Sequence, residues 1–570
     1  MDRIKSLFNS KKFRLTVLFL IILLGFFIRM TGLYKLGGFW VDESTSFYVA
    51  NQSSPFEILN RLYNRDAHAP LYFILLHFWM KLFGIHDIIV RLFSVIPGLF
   101  IIPVSYLIGK EVLSRKTGFI LALFVSINSF LIYYSQEVRF YSLTALLGAL
   151  SVLFLIKTLK KTSLKNYTGL ILSNAAILYT FTIGFVFIFC EVIISLIYLY
   201  WSKRENLKPF IYAQIVTFIL FIPYVPILIQ QHTMVASGYI NSFSFYQNFN
   251  YASILLVMQN WFSPVISSIA FPDLNYYEGL ISNGIKPDFI IFAVIPVIIA
   301  ITGIIKTCQK RDLGTLILSI GFLLIILEII MTLMGKLAIT SRYLTLAFPS
   351  ILVGVVYGLV NIRNKFLSGS LISLFVFVNL FYLVFTPYGI QKQPSSQGYR
   401  TIASILKEYH LNSNDILILP MEGKFLGKYY SLKDINLLDF TMADICLGSE
   451  KILGIEVLDI LTRKNAHDNL KKYILYSKIP VSFENYIRKS VVSKLDKGRY
   501  FVTVMPIGMK PFDEDLLIKI ARNDRIYKDI SLYYLLTSRA AINLEKIEKK
   551  YFQTVKIIKK DGWEVHILKK

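Results

Sequence analysis

The sequence predicts a mainly α membrane protein: a polytopic helical bundle of about 11 spans followed by a soluble α/β domain outside the cytoplasm. Three observations predict it. The 570-residue chain is 55% hydrophobic and 15% aromatic, with a mean hydropathy of +0.56, too apolar to supply the polar shell of a soluble protein this large. Apolar stretches of roughly 20 residues, the length that crosses a bilayer, recur along the first two thirds of the chain. After Tyr388 the composition turns mixed and polar.

The net charge of +25 does not call for a nucleic-acid partner. Much of the Lys and Arg lies in short loops between apolar runs, the pattern that orients a membrane protein in the lipid bilayer. Three cysteines give no disulfide framework: Cys190 sits in an apolar run, Cys308 in a basic loop, and Cys446 is alone in the C-terminal region. The first 13 residues are basic, but the apolar run after them is long and lacks a small-residue cleavage site. It reads as a retained first span.

The apolar runs lie near 14–34, 88–109, 117–134, 140–157, 167–183, 184–201, 209–230, 288–307, 313–335, 343–361 and 366–387. The stretch 167–201 is continuous and about 52 Å long as a helix, too long for one crossing and tight for two. The run "APLYFILLHFWMKLFG" (69–84) is only about 24 Å long and carries His77 and Lys81. It is expected to be an interfacial or re-entrant helix. Charge supports this. With the N-terminus in the cytoplasm, the inner segments hold 20 Lys+Arg and the short outer loops hold 3. Making 69–84 a span would reverse that bias.

Two long regions then fall outside, 35–87 and 231–287. The second contains one Lys (Lys286) and no Arg. Its apolar piece 253–271 is interrupted by Gln259, Asn260 and Pro264 and is expected to lie at the interface. The sequence "QKQPSSQG" (391–398) reads as a linker. It separates a membrane domain, 1–390, from an extracytoplasmic domain, 391–570. Within the latter, "RTIASILKEYHLNSNDILILP" reads as helix, turn and buried strand. "FQTVKIIKKDGWEVHILKK" reads as a terminal hairpin turning at Asp561-Gly562.

This topology gathers polar clusters on the outer side: Asp42-Glu43, "RDAHAP" (65–70), "SQEVRF" (135–140) and "SRYLTLAFP" (341–349). Adjacent on a helix, Asp42 and Glu43 point about 100° apart and cannot form a close dyad. One can face a cavity while the other caps or pairs. Asp42 can equally be a helix cap and nothing more. A carboxylate partly removed from water makes a better base. His68 can bind a phosphate or a metal, or face water, and Asp66 can contribute to the same site. No His or Cys spacing amounts to a metal motif. Arg139 and Arg342 can snorkel at helix ends. They can also hold an anionic group through the paired donors of the guanidinium fork, with Glu137 orienting the arginine or a sugar. Tyr141 and Tyr343 are expected in an aromatic belt.

Taken in order, these residues resemble the protein O-mannosyltransferase-like branch of the GT-C superfamily of membrane glycosyltransferases, the group that includes the bacterial aminoarabinose transferase. "VDESTSFYVA", "HAPLYFILLHFWMKLFG", "VRLFSVIPGLFIIPVSYLIGK", "YYSQEVRFYSL" and "SRYLTLAFP" carry the resemblance. It is strong over residues 30–150 and absent from the C-terminal domain. The family pattern reads His-Pro-Pro where this chain has His68-Ala69-Pro70. The resemblance implies a GT-C-like fold and an inverting transfer of a sugar from a polyprenyl-phosphate donor to a lipid, glycan or protein acceptor, with no metal or other cofactor. Asp42 matches the family's catalytic Asp, so Asp42 and Glu43 are the catalytic candidates. Asp66, His68, Glu137, Arg139 and Arg342 are the substrate-binding candidates. A lipid-linked-sugar flippase would more typically place charges at the midplane and show repeated halves. A glycan polymerase would show an outer loop rich in Arg. A membrane scaffold that only displays the C-terminal domain would not need these polar clusters to share a face.

Overall fold

A computed structural model describes residues 10–33, 39, 41–65, 68–234, 251–263, 294–310, 312–334, 339–385, 399–409, 416–420, 436–440, 495, 497, 499–506, 548–560 and 563–570. Asp66, Cys446, the linker 391–398 and the turn Asp561-Gly562 lie outside the described residues. The chain divides into two compact units. One comprises Met1–Lys35, Val49–Ile229 and Phe249–Gln393; the other comprises Leu36–Tyr48, Gln230–Asn248 and Pro394–Lys570.

The first unit is a helical bundle, and the chain is a multi-pass membrane protein. Every one of the apolar runs contains a helix. Among the described residues, eight helices are long and apolar enough to cross a membrane. Among them are α1 (Lys11–Leu33), α5 (Asp87–Val112), α8 (Tyr141–Lys160), α10 (Gly184–Ser202), α15 (Leu313–Leu333) and α17 (Lys365–Phe385). Of the shorter helices, α2 (Val41–Ala50) lies mostly in the second unit, and α3 (Pro55–Arg65) and α4 (Leu71–Phe83) lie in the first. The run 117–134 forms a bent pair, α6 (Arg115–Ile127) and α7 (Ser129–Ser135), at 56°, which is a ninth span if the pair is counted as one. Asn128 causes the break. Its backbone is extended, and its side-chain oxygen accepts the Leu131 N–H at 3.0 Å, so it caps a new helix instead of continuing the old one.

The continuous stretch 167–201 is divided by the turn at Tyr179–Ile183 into α9 (Leu164–Leu178) and α10. After it come α11 (Leu207–Phe221), α12 (Val225–Met234), α13 (Tyr251–Phe262), α14 (Ile295–Cys308) and α16 (Ala347–Val360). Nearly all of α16 is buried, which puts it at the centre of the bundle. Small residues let its neighbours approach: a Cβ on Gly358 would sit on the Gly303 carbonyl oxygen of α14, and one on Gly303 would meet the Val355 carbonyl at 2.4 Å. As expected of an interfacial helix, α4 has 13 residues, about 20 Å, and does not reach across a bilayer.

The second unit contains α18 (Tyr399–Glu408) and the strands β1 (Ile416–Pro420), β2 (Asn436–Phe440), β3 (Tyr500–Pro506), β4 (Gln553–Lys560) and β5 (Trp563–Lys569). The sheet order is β2-β1-β3-β5-β4. β1 pairs parallel with β2 and β3, while β5 pairs antiparallel with β3 and β4. The helix–strand pair and the terminal hairpin are those read from the sequence. Phe501, Val502, Val565 and Ile567 are fully buried, and Phe552 stacks on Phe501 at 4.5 Å.

A buried ion cluster fastens the hairpin. His566 Nδ1 lies 2.6 Å from Glu548 and Nε2 lies 3.0 Å from Glu564. The Thr503 hydroxyl donates to Glu548, and Lys559 pairs with Glu564 at 3.0 Å. Carboxylates accept at both ring nitrogens, so His566 is an imidazolium. Burial alone would lower it. The hydrogen bond and charge of Glu548, then those of Glu564, outweigh burial and push it up to about 9.

Candidate active site

The sequence "QEVRF" leaves the helix between α7 and α8. Within that turn the Arg139 N–H donates to the Glu137 carbonyl at 2.8 Å. Glu137 and Arg139 are both buried there, 7% and 5% exposed. Arg139 therefore does not snorkel to water. Its Nη2 donates to His68 Nε2 at 3.2 Å. A guanidinium only donates, so Nε2 accepts and the His68 proton sits on Nδ1. The segment that presents His68 is fixed from behind. The Tyr224 hydroxyl donates to the His68 carbonyl at 3.4 Å, and the first free N–H of α4, that of Leu71, donates to the Tyr179 carbonyl at 2.8 Å. Pro70 sits at the N-cap of α4, the ordinary helix-start role.

Arg342 opens a short 3₁₀ turn, Tyr343–Leu346, that leads into α16. A chain of rings joins it to Arg139. The Arg139 guanidinium lies 5.2 Å from the Phe140 ring, and Phe140 packs on Phe181 at 5.2 Å. Phe181 faces Tyr343 at 6.4 Å, and the Arg342 guanidinium lies 5.2 Å from the Tyr343 ring. His68 also leans on Phe140 at 5.5 Å and on Phe73 at 5.9 Å. The structure thus joins His68, Arg139 and Arg342 through one chain of aromatic rings, with Glu137 buried in the same turn as Arg139. Tyr141, expected in a lipid-facing belt, is instead 2% exposed and packs on Tyr134 at 4.8 Å. Tyr343 belongs to the chain of rings, because a cation beside an aromatic face is stabilised by the ring.

Asp42 and Glu43 occupy the first turn of α2, where the helix dipole favours negative charge. Asp42 is half-buried and Glu43 buried. The Ser46 hydroxyl donates to the Asp42 carbonyl at 3.1 Å.

Several residues that shape the site were not singled out in the sequence. Arg29, in the last turns of α1, is fully buried. It donates to Ser135 Oγ at 3.0 Å, to the Ser126 carbonyl at 3.0 Å and to the Val125 carbonyl at 3.4 Å. The Gln136 side chain donates back to the Arg29 carbonyl at 2.8 Å. One guanidinium therefore ties the first span to the broken span just before the Arg139 turn. A lone charge inside an apolar run was the available signal. Ser94 of α5 accepts or donates at the Tyr72 hydroxyl (3.0 Å), and its carbonyl accepts from Ser142 at 2.8 Å. Gly98 lets α5 approach this region, since a Cβ there would lie 2.5 Å from Ser135 Oγ. The C-terminal end of α13 is held by Asn128, which donates to the Trp261 carbonyl at 2.7 Å. It is held again by Asn260, which donates to Ser341, beside Arg342, at 3.1 Å.

Two guanidinium groups joined by a chain of aromatic rings in a polytopic bundle are chemistry suited to an anionic group. Residues 67–229, the segment that carries His68, Glu137 and Arg139, match the model of the dolichyl-phosphate-mannose-protein mannosyltransferase family. No curated protein sequence matches the chain. The solved oligosaccharyltransferase of Archaeoglobus fulgidus, in its apo form, aligns over 92% of this chain and 72% of its own, with 13% identity and a TM-score of 0.52. The same protein tethered to an acceptor peptide aligns over 98% and 74%, with 12% identity and a TM-score of 0.50. ArnT from Cupriavidus metallidurans, bound to undecaprenyl phosphate, aligns over 96% and 97%, with 10% identity and a TM-score of 0.48. Residues 67–229 thus resemble the mannosyltransferase family, and the chain shares its fold with the archaeal oligosaccharyltransferase, a membrane glycosyltransferase.

Proposed function

We propose that this chain moves a sugar from a polyprenyl-phosphate donor to a hydroxyl of a lipid, glycan or protein acceptor outside the cytoplasm. The observation that carries the reading is the placement of Arg139, paired with His68, and Arg342 along one chain of aromatic rings. The donor's lipid tail stays in the bilayer, so its phosphate must be met where the spans end. The family segment, described by its dolichyl-phosphate-mannose donor, supports the same donor class.

In the proposed step the acceptor oxygen attacks the anomeric carbon while the bond from that carbon to the phosphate oxygen breaks. The bonding electrons leave with the phosphate. Arg139 and Arg342 meet the charge that develops on it, which stabilises the transition state more than the ground state. Asp42 takes the proton of the attacking hydroxyl, and Glu43, the other catalytic candidate, points away from it on the same helix turn and cannot share that proton. His68 and Glu137 hold the arginine and the sugar, and Asp66 joins the binding group. Attack opposite the leaving group inverts the anomeric centre. The bias of positive charge supports an N-terminus in the cytoplasm of a cell-membrane protein and a 391–570 domain outside the cytoplasm.

The test uses membranes carrying the wild type or Asp42→Asn, incubated with labelled polyprenyl-phosphate sugars and cell-envelope material. The wild type transfers label, and the variant loses about 10²–10⁴-fold in rate. Equal transfer by both removes Asp42 as the base. Movement of lipid-linked sugar across the bilayer without transfer favours the flippase reading instead.

A further inference from the structure

Midway along the spans lies a polar ring that the proposed chemistry does not use. It is formed by Ser151 of α8, Asn174 of α9 and Glu191 of α10, all fully buried. Ser151 Oγ is within hydrogen-bond reach of both Asn174 Oδ1, at 2.7 Å, and Glu191 Oε2. Asn174 Nδ2 closes the ring on Glu191 Oε1 at 2.8 Å.

Three contacts need three protons. The Ser151 hydroxyl brings one. The Asn174 amide presents its NH₂ to one neighbour and its oxygen to the other, so it brings one. An ionised carboxylate brings none. Turning the amide over does not change the count: the NH₂ then serves Ser151, the hydroxyl serves Glu191, and the amide oxygen waits for a donor on Glu191. We infer that Glu191 is a neutral carboxylic acid, and that its proton closes a three-residue ring clamping α8, α9 and α10. No salt bridge reaches Glu191 among the described residues. A buried carboxylate without a cation is costly in a bilayer, and the neutral ring gives each of the three contacts its own proton.

The clamp lies about 15 Å along α8 from Tyr141 and about 10 Å along α10 from Gly184. Those helix ends carry the Arg139–Tyr141 turn and the Phe181 turn. Glu191 is therefore a positioning residue for the chain of aromatic rings, a consequence that rests on the reading of that chain as the active site. The ring itself does not depend on that reading.

The experiment uses the full chain, purified at neutral pH, and no transfer assay. Infrared difference spectra of wild type minus Glu191→Gln should show the carbonyl band of a protonated carboxyl. The difference isolates Glu191 from Glu328, a second buried carboxyl with no hydrogen-bond partner among the described residues. Glutamine mimics the neutral acid, because its NH₂ can serve Ser151 while its oxygen accepts from Asn174. Glu191→Gln should therefore keep wild-type amide exchange in segments 136–141 and 178–184. Glu191→Ala should raise exchange in both by at least about ten-fold, equivalent to about 1.4 kcal/mol of local stability. A difference spectrum with no protonated-carboxyl band overturns the neutral ring. Equal exchange in Glu191→Ala and wild type overturns the positioning role.

Discussion

Replacing Arg139 with Gln tests the proposed site most directly. The side chain is 5% exposed and sits 3.2 Å from His68 and 5.2 Å from the Phe140 ring. Gln keeps a polar amide but is two heavy atoms shorter, so it removes the charge, the fork and the hydrogen bond that the terminal Nη2 makes to His68. The variant should stay folded, with a stability loss of about 1 kcal/mol. Removing one donor from a developing oxyanion costs about 2.7–4 kcal/mol, so transfer should fall about 10²–10³-fold. Because the phosphate gains charge as the sugar bond breaks, kcat and kcat/KM should fall together. Arg139→Lys keeps the charge without the planar fork and should fall between the two. The assay is initial-rate transfer from a labelled polyprenyl-phosphate sugar, normalised to folded protein. A kcat within two-fold of wild type, with only KM raised, would show that Arg139 holds the ground state and would refute a role at the leaving group.

Arg29→Met removes the donors to Ser135, Ser126 and Val125 from a fully buried position. Stability should drop by about 3 kcal/mol, seen as a melting temperature roughly 5–10 °C lower; an unchanged melt argues against the clamp. Gly98→Ala brings a methyl to 2.5 Å from Ser135 Oγ and 2.6 Å from its Cβ. Separating α5 from α7 should cost about 1–3 kcal/mol and reduce transfer, measured on the same folded fraction. The His566 cluster predicts a pH dependence. Its folded value, about 9, lies above the ordinary 6.5. The stabilisation is complete below about 6.5 and is lost as pH rises through about 9, at most about 3 kcal/mol. Amide exchange of β5 in the full chain should therefore rise across that window. In His566→Asn it should already be raised at neutral pH and stay flat through the window.

The spans were legible because hydropathy is a one-dimensional property. The sequence placed each apolar run, marked 69–84 as too short to cross, and identified the terminal hairpin by its strand–turn–strand pattern. It also marked His68, Glu137, Arg139 and Arg342 as polar residues at helix ends. Their shared surroundings were not legible, because Phe181 and Tyr343 join them from helices far apart in the chain. Tyr141 was misplaced for a related reason: an aromatic near a span end reads as a belt residue unless its neighbours are known. The break at Asn128 was equally hidden, since a single polar residue in an apolar run is compatible with a straight helix.

The sequence by itself thus determined that the chain is a multi-pass membrane protein, where its apolar segments lie and which polar residues stand at their ends. Burial of apolar length and the asymmetry of positive charge act locally and leave their trace in composition. Only the tertiary structure decided which guanidinium meets which imidazole, that Arg29 braces the Arg139 turn, and that Glu191 closes a ring with Ser151 and Asn174. Hydrogen bonds depend on distances of about 3 Å between atoms, and such distances between separate helices exist only once the helices have packed.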